Sequence, residues 1–428
     1  MKKVLAGLFA ILLPLLVFAS SGSAGSEGLA VAGIRLEFIL FALTLMGVAL
    51  FHNQTLYVAL TGLASILILR FLTTDFNLVH HIEHEWEILV NLLGLLLGFA
   101  ILAKHFEESG VPDNLPKILP GNWTGAFLLL VLIFVMSAFL DNIAAALIGG
   151  SIGLVIFRGN VHIGFLAAMV AASNAGGAGS VVGDTTTTMM WIDGVAIGDV
   201  LHAFVAAIPA LLIFGYIAAK QQHKHQPIIK DLSAEPKAID GKRLLVCVMI
   251  LIGAVTTNVL LDFPAAGVWA AILIGATFTK TPWKEVPHAL PGSVFLLSLV
   301  LSASMMPVDQ LPAASWQTAF ALGFISSVFD NIPLTKLALD QGGYDWGVLA
   351  YSVGYGGSMV WFGSSAGVAM SNLYPQAKSV VNWVKNGWHV ILAYVAGFFI
   401  LYALVGWHPH PPHRDEHKAA AEAEATVH

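Results

Sequence analysis

The chain has 428 residues, 57% of them hydrophobic and only 11% charged, and its mean hydropathy is +0.79, a combination foreign to water-soluble globules of this length. Its formal net charge of -6 is spread over loops and tail, and no basic face or run is large enough for nucleic acid. The one cysteine, Cys247, sits in an apolar run and excludes disulfides and cysteine metal clusters. What remains is an all-α polytopic membrane protein: apolar runs of about 17 to 22 residues, enough helix to cross about 30 Å of hydrocarbon, recur from Leu36 to Trp407.

In chain order, Met1-Lys2-Lys3, the apolar stretch Val4 to Phe18 and the small residues Ala19 to Ala24 have the three-part form of a secretory signal (1–24), or else an uncleaved first helix. Either reading puts Gly25 to Gly33 outside. A first half (34–219) is expected to cross at about 36–51, 55–72, 88–103, 161–190 and 200–219, with a hairpin at 124–157 that enters and leaves on one side. The linker 220–243 carries Lys220, Lys224, Lys230, Lys237, Lys242 and Arg243, which marks it as cytoplasmic. A second half (244–406) repeats the plan at about 244–261, 265–279, 292–306, 347–373 and 388–406, with a hairpin at 313–339. Ten crossings leave the tail 407–428 on the periplasmic side of a bacterial-type inner membrane. The expected outer segments 73–87, 191–199 and 307–312 hold no Lys or Arg, as that parity requires. Arg35 and Arg70, at outer helix ends, are exceptions that can snorkel to head groups.

The halves share a motif. Ser137-Ala-Phe-Leu-Asp141-Asn142-Ile143 reappears, at an offset of 189 residues, as Ser326-Ser-Val-Phe-Asp330-Asn331-Ile332. Downstream of each lies a glycine-rich break in an apolar stretch, Ser173-Asn174-Ala-Gly176-Gly177 through Thr188 and Gly354 through Gly367. Halves that each cross five times are inverted, and paired glycine-interrupted helices point to a transporter site near the bilayer midplane. The alternative for either glycine run alone is close helix packing through small residues.

Asp141, Asp184 and Asp330 fall inside membrane segments, where a bare carboxylate costs about 2.5–3.5 kcal/mol. A proton or a bound sodium ion can neutralise each, and competition between the two is the minimal mechanism of exchange. Asn142, Asn331, Thr185, Thr186, Ser364 and Ser365 would supply the neutral oxygens a hard cation prefers. Ser173, Asn174, Gly176, Gly177, Gly356, Gly357 and Gly363 would supply unwound backbone and polar groups. The structural alternative for each Asp is a helix cap at a hairpin tip. Lys336, in the second hairpin, either pairs with a carboxylate, Asp330 being six residues away, or snorkels to the surface. His80 to His84 reads as a pH-sensing or metal patch, or as a solvated outer loop before a helix that begins near Trp86.

These stretches, with Gly183-Asp184-Thr185-Thr186-Thr187-Thr188-Met189-Met190-Trp191 and Gly363-Ser364-Ser365-Ala-Gly367, resemble the NhaD-type sodium/proton antiporters of the ion transporter superfamily over most of the chain. The resemblance implies a scaffold and a transport core, two hairpins meeting two unwound helices, elevator-like movement, a homodimer, no cofactor and transported Na+ (or Li+) and H+. Dicarboxylate relatives carry Ser-Asn-Thr at the hairpin tips where this chain has Asp-Asn-Ile, which favours a cation; Lys336 departs from the antiporter pattern. The runner-up is a sodium-coupled di- or tricarboxylate transporter. A more distant alternative is an enzyme, an intramembrane aspartyl protease built on Asp141 and Asp184, which leaves the second Asp-Asn pair unexplained.

Overall fold

The structure, a computed structural model, describes residues 29–31, 33–51, 54–229 and 237–410. The expected signal, Lys230 and the tail beyond His410 lie outside the described residues. The described chain is helical apart from one two-residue ladder pairing Ala30–Val31 with Ile34–Arg35. The first half runs α1 (Leu36–Leu50), α2 (Thr55–Thr73), α3 (Leu78–Glu107), α4 (Val111–Ile118), α5 (Trp123–Ser137), α6 (Asn142–Ile156), α7 (Ile163–Ala178), α8 (Thr185–Ile192), α9 (Ile197–Leu201) and α10 (Phe204–His225). The second runs α11 (Gly241–Leu261), α12 (Pro264–Gly275), α13 (Glu285–Ala303), α14 (Trp316–Ser326), α15 (Asn331–Gln341), α16 (Trp346–Gly356), α17 (Ser365–Leu373), α18 (Val380–Asn386) and α19 (Trp388–Leu404).

Five stretches of the described residues are long and apolar enough to cross a membrane: α2, α3, α9 with α10, α11 and α13; the bent pair α18 and α19 makes a sixth. The other four expected crossings are short (α1, α12) or interrupted (α7 with α8, α16 with α17). Lipid-facing side chains account for the many exposed apolar residues on α2 and α11, such as Phe71, Leu72, Val259 and Leu260.

Packing sorts the helices into two bodies. In one, α1 to α3 and α11 to α13 interlock, with α3 against α12 and α13, and α2 against α13. Polar ties reinforce that body: Trp269 Nε1 donates to the Gly94 carbonyl at 3.0 Å, and Ala265 N to Asn91 Oδ1 at 3.2 Å. In the other body α5 packs on α7 as α14 packs on α16, α6 packs on α17 as α15 packs on α8, and α10 lies along α19. The hydrogen bonds repeat too: Ser137 Oγ donates to the Ser173 carbonyl at 2.6 Å and Ser326 Oγ to that of Val353 at 2.7 Å. The two bodies meet along a seam where α3 touches α8 and α13 touches α15.

Two expectations are corrected, and one short helix had no counterpart among the expected elements. His80 to His84 is helical, not a loop, because α3 starts at Leu78, where the Asn77 side chain accepts from Val79 N and His80 N at 3.0 and 3.3 Å. Hydropathy hides that polar first part of the helix, and no group of three metal-ligating side chains occurs among the described residues. Lys117 lies on the short helix α4, which opens with Pro112 in its first turn. Arg35 is paired, with Glu37 at 2.7 Å, and Arg70 lies 4.0 Å from the same buried carboxylate and over the Phe76 ring.

Candidate functional site

Four helices begin at one place. α6 and α15 start at the two Asp-Asn hairpin tips, and α8 and α17 start where the broken helices resume. Each first turn leaves backbone N–H groups unpaired, and each is capped by the chain itself. Asp141 accepts from Ile143 N, Asp184 Oδ1 from Thr186 N and Asp330 from Ile332 N, all at 3.0 Å; Ser364 Oγ accepts from Gly367 N at 3.2 Å. The three aspartates are therefore caps as well as membrane carboxylates, and each cap occupies one oxygen of two.

Behind the tips the polar groups interlock. Asn142 Nδ2 donates to Asp184 Oδ2 at 2.9 Å and to Asn174 Oδ1 at 3.2 Å, while Asn174 Nδ2 donates to the hydroxyls of Ser358 at 2.9 Å and Ser364 at 3.1 Å. Ser365 makes a side-chain hydrogen bond to Asp330. Asn331 is buried, and its Nδ2 has no protein partner among the described residues. Asn174 thus ties the first hairpin to the second broken helix. Asn174→Ala is expected to lower stability by about 1–3 kcal/mol, since it strands buried donors and acceptors; the apparent melting temperature in detergent measures this.

A cavity of about 1030 Å³ ends on these groups. Asp141, Asn142, Asp184, Thr185, Thr188, Asn331 and Ser365 line its floor, and Lys104, Glu107, Asp113, Lys237 and Glu285 line its outer part, beside the end of α3 and the inter-half linker. The expected residues Asp141, Asn142, Asp184, Thr185, Asn331 and Ser365 are thereby brought together, with Asn174, Ser364 and Asp330 directly behind or beside them. Thr186 reaches Asp184 through its backbone.

Others lie elsewhere. Ser173 Oγ donates to the Val170 carbonyl at 2.9 Å, inside its own helix. Gly176, Gly177, Gly356, Gly357 and Gly363 are packing positions outside the lining. A Cβ at Gly176 would sit 2.1 Å from the Phe134 carbonyl oxygen, and one at Gly356 2.2 Å from that of Gly323, so each broken helix crosses the first arm of its hairpin backbone to backbone. Lys336 neither approaches the surface nor pairs with Asp330: it is fully buried, 3.2 Å from Glu85 and 2.5 Å from Asp340. Its partners were not foreseen, because one lies in the other half of the chain; Ser358 closes the Gly356-Gly357-Ser358 stretch of the second glycine run but was not expected as a polar partner of the site.

Apolar spanning helices around a polar cavity, floored by two hairpin tips and two helix breaks, define a multi-pass membrane transporter. The chain belongs to the citrate transporter family, whose model matches residues 39–356. It is similar to sodium/proton antiporter 1 of Arabidopsis thaliana, with 27% identity over 344 residues, 69% of this chain and 58% of that protein, so the match spans less than two thirds of that relative. It is 25% identical over 370 residues to sodium/proton antiporter 2 of the same plant, 74% of this chain and 86% of the relative. With the Na(+)/H(+) antiporter NhaD of Vibrio parahaemolyticus it shares 24% over 347 residues, 68% and 84% of the two chains. The resemblance to NhaD-type transporters holds, and the family is one of transporters rather than enzymes.

Proposed function

We propose that the protein exchanges sodium or lithium for protons across a bacterial-type inner membrane by alternating access, using two inverted halves of five crossings and one re-entrant hairpin each. One observation carries the choice of a cation. Four helix N-termini, each equivalent to about half a positive charge, point at the cavity floor and would by themselves favour an anion. Three of the four are occupied by the chain's own carboxylates, Asp141, Asp184 and Asp330. An incoming citrate would meet acidic side chains in the place of bare helix ends, whereas a sodium ion meets carboxylate and amide oxygens of the kind it prefers.

Sodium bound at Asp141, Asp184 and Asp330 and protons bound at the same carboxylates exclude one another, because neutralising the site twice over has no electrostatic return in a low-dielectric interior. Removal of the sodium ion leaves charge that a proton must cover before the site can move. The reciprocal packing of α6 on α17 and α15 on α8 supports the inverted repeat, since each half lends its hairpin to the other half's broken helix. With the basic linker 220–243 on the cytoplasmic side, the cavity is the inward-facing access path and the tail 407–428 is periplasmic. The relatives named as antiporters support the same reading, and assembly as a homodimer completes it.

The test is dequenching of a pH-sensitive dye in everted vesicles as NaCl, LiCl, KCl and citrate are added in turn. Sodium or lithium collapses the proton gradient and citrate does not. A citrate-driven response without a sodium response overturns the assignment in favour of carboxylate uptake.

A further inference from the structure

The cavity follows α3 from Glu107 only as far as Leu92, and α13 from Glu285 to Leu296. Beyond its floor the seam between the two bodies is shut. Lys336 of α15, fully buried, lies there between Glu85 of α3, itself 3% exposed, and Asp340 of its own helix. Glu85 and Lys104 are separated by about 28 Å along the helix axis at 1.5 Å per residue, so the triad sits toward the face opposite the cavity mouth. Lys336 and Asp340 belong to one body and Glu85 to the other.

We infer that Glu85 is a second proton-binding site, separate from the cavity carboxylates, which takes up a proton when the seam opens on the face opposite the cavity. The inference rests on the alternating-access reading above. Separating the bodies carries Lys336 away together with Asp340, four residues on along the same helix, and that pair stays neutral. Glu85 then loses the cation that faces it across the seam, a cost to opening that charged Glu85 bears and protonated Glu85 does not. A proton from the newly opened side neutralises it. Protons on that side therefore favour opening, and charged Glu85 favours closure.

The ionisable groups around Glu85 are few. Lys336 and Asp340 face it from α15, His81 and His84 flank it on α3, and Arg70 of α2 approaches through His81. His81 is held by Ser304, its Nε2 at 2.9 Å from the hydroxyl oxygen. The turn Val308–Gln310, packed on α15, brings Asp309. Helices α8 and α12, which also pack on α3, carry no ionisable side chain within their bounds, though buried Asp193 caps the end of α8 away from the cavity floor, and those of α11 and α13 lie at the cavity end.

The test uses thiol labelling in place of transport. In the full chain with Cys247→Ser, Ser302→Cys places a thiol on α13 at a fully buried position beyond the cavity floor. A membrane-impermeant maleimide is applied to right-side-out vesicles at pH 6 and pH 8.5. Expressed relative to an exposed reference thiol at the same pH, so that the thiolate fraction cancels, labelling is expected to be at least about threefold faster at pH 6, a modest shift of a two-state equilibrium. Glu85→Gln makes labelling fast at both pH values. Asp340→Asn does the opposite, slow at both, because Lys336 then has Glu85 as its one remaining carboxylate partner in the triad and separation strands both charges. A merely structural triad would shift both variants in the same direction. That result, or a wild-type pH response in Glu85→Gln, overturns the inference. Labelling that follows the expected pattern in vesicles without sodium/proton exchange sinks the cation assignment alone, and exchange with pH-independent labelling sinks the triad alone.

Discussion

Asp184→Asn is expected to reduce sodium-driven proton movement in everted vesicles to below about one hundredth of the wild-type rate, a loss of roughly 2.7 kcal/mol. Asp184 is 3% exposed, and both its oxygens are engaged, one by Thr186 N and the other by Asn142 Nδ2. The amide has nearly the same shape but no charge, and it can satisfy Thr186 only by turning its NH2 group toward the Asn142 donor. The site then loses both a carboxylate for the ion and the bond that orients the first hairpin tip. Asp141→Asn and Asp330→Asn are also expected to abolish exchange, yet these two are counterparts of one another, whereas the place of Asp184 in the second half is taken by Ser364. Asp184 therefore has no substitute. Wild-type-like exchange in Asp184→Asn would remove it from the site, and retained elution as a folded species in detergent separates a chemical from a structural loss.

The second large effect falls on assembly. Gly176→Ala and Gly356→Ala each drive a methyl group to 2.1 or 2.2 Å from a backbone carbonyl oxygen, of Phe134 and Gly323 respectively. Real contacts there exceed 3 Å, and a carbonyl inside a helix cannot swing aside like a side-chain end. Overpacking typically costs about 1–3 kcal/mol and here belongs at or above the top of that range. Both variants should show a lowered apparent melting temperature and a poor yield of monodisperse protein, while Gly198→Ala, whose added carbon meets nothing within 4 Å, should match the wild type. Equal stability of all three would mean that the broken helices do not cross their hairpins this closely.

Much of this was legible in the residues. The repeated Asp-Asn-Ile and the two glycine runs marked the segments that meet at the cavity floor; three of the four helices there follow a capping aspartate, a role the sequence offered only as the alternative for each Asp, and the fourth follows Ser364. The helix boundaries of α1, α2, α11 and α19 likewise follow from apolar length alone. The beginning of α3 was not legible, since His80 to Glu85 lowers the hydropathy of a segment that Asn77 nonetheless starts as helix. The destination of Lys336 was not legible either. The nearby Asp330 was the obvious partner, but it is turned into its own helix cap, and Glu85, remote in sequence, meets Lys336 only because α15 docks against α13, which itself packs on α3. The glycines illustrate a third limit: the same letters serve unwound ion-facing backbone and close helix contact, and at Gly176 and Gly356 the contact is what they serve.

The depth of the cavity has an electrical consequence. Along α3 its lining reaches inward from Glu107 to Leu92; the part from Lys104, the innermost charged residue of that lining on α3, to Leu92 covers about 18 Å of helix at 1.5 Å per residue, out of a hydrocarbon layer of about 30 Å. An aqueous funnel of that depth is nearly equipotential with its own bulk phase, so the transmembrane voltage, worth about 2.3 kcal/mol per elementary charge at 100 mV, drops across the remaining wall. The field in that wall is then about two and a half times that of a uniform slab, by the ratio of those lengths. Any imbalance between the charges carried in the two directions would register there as a dependence of turnover on voltage.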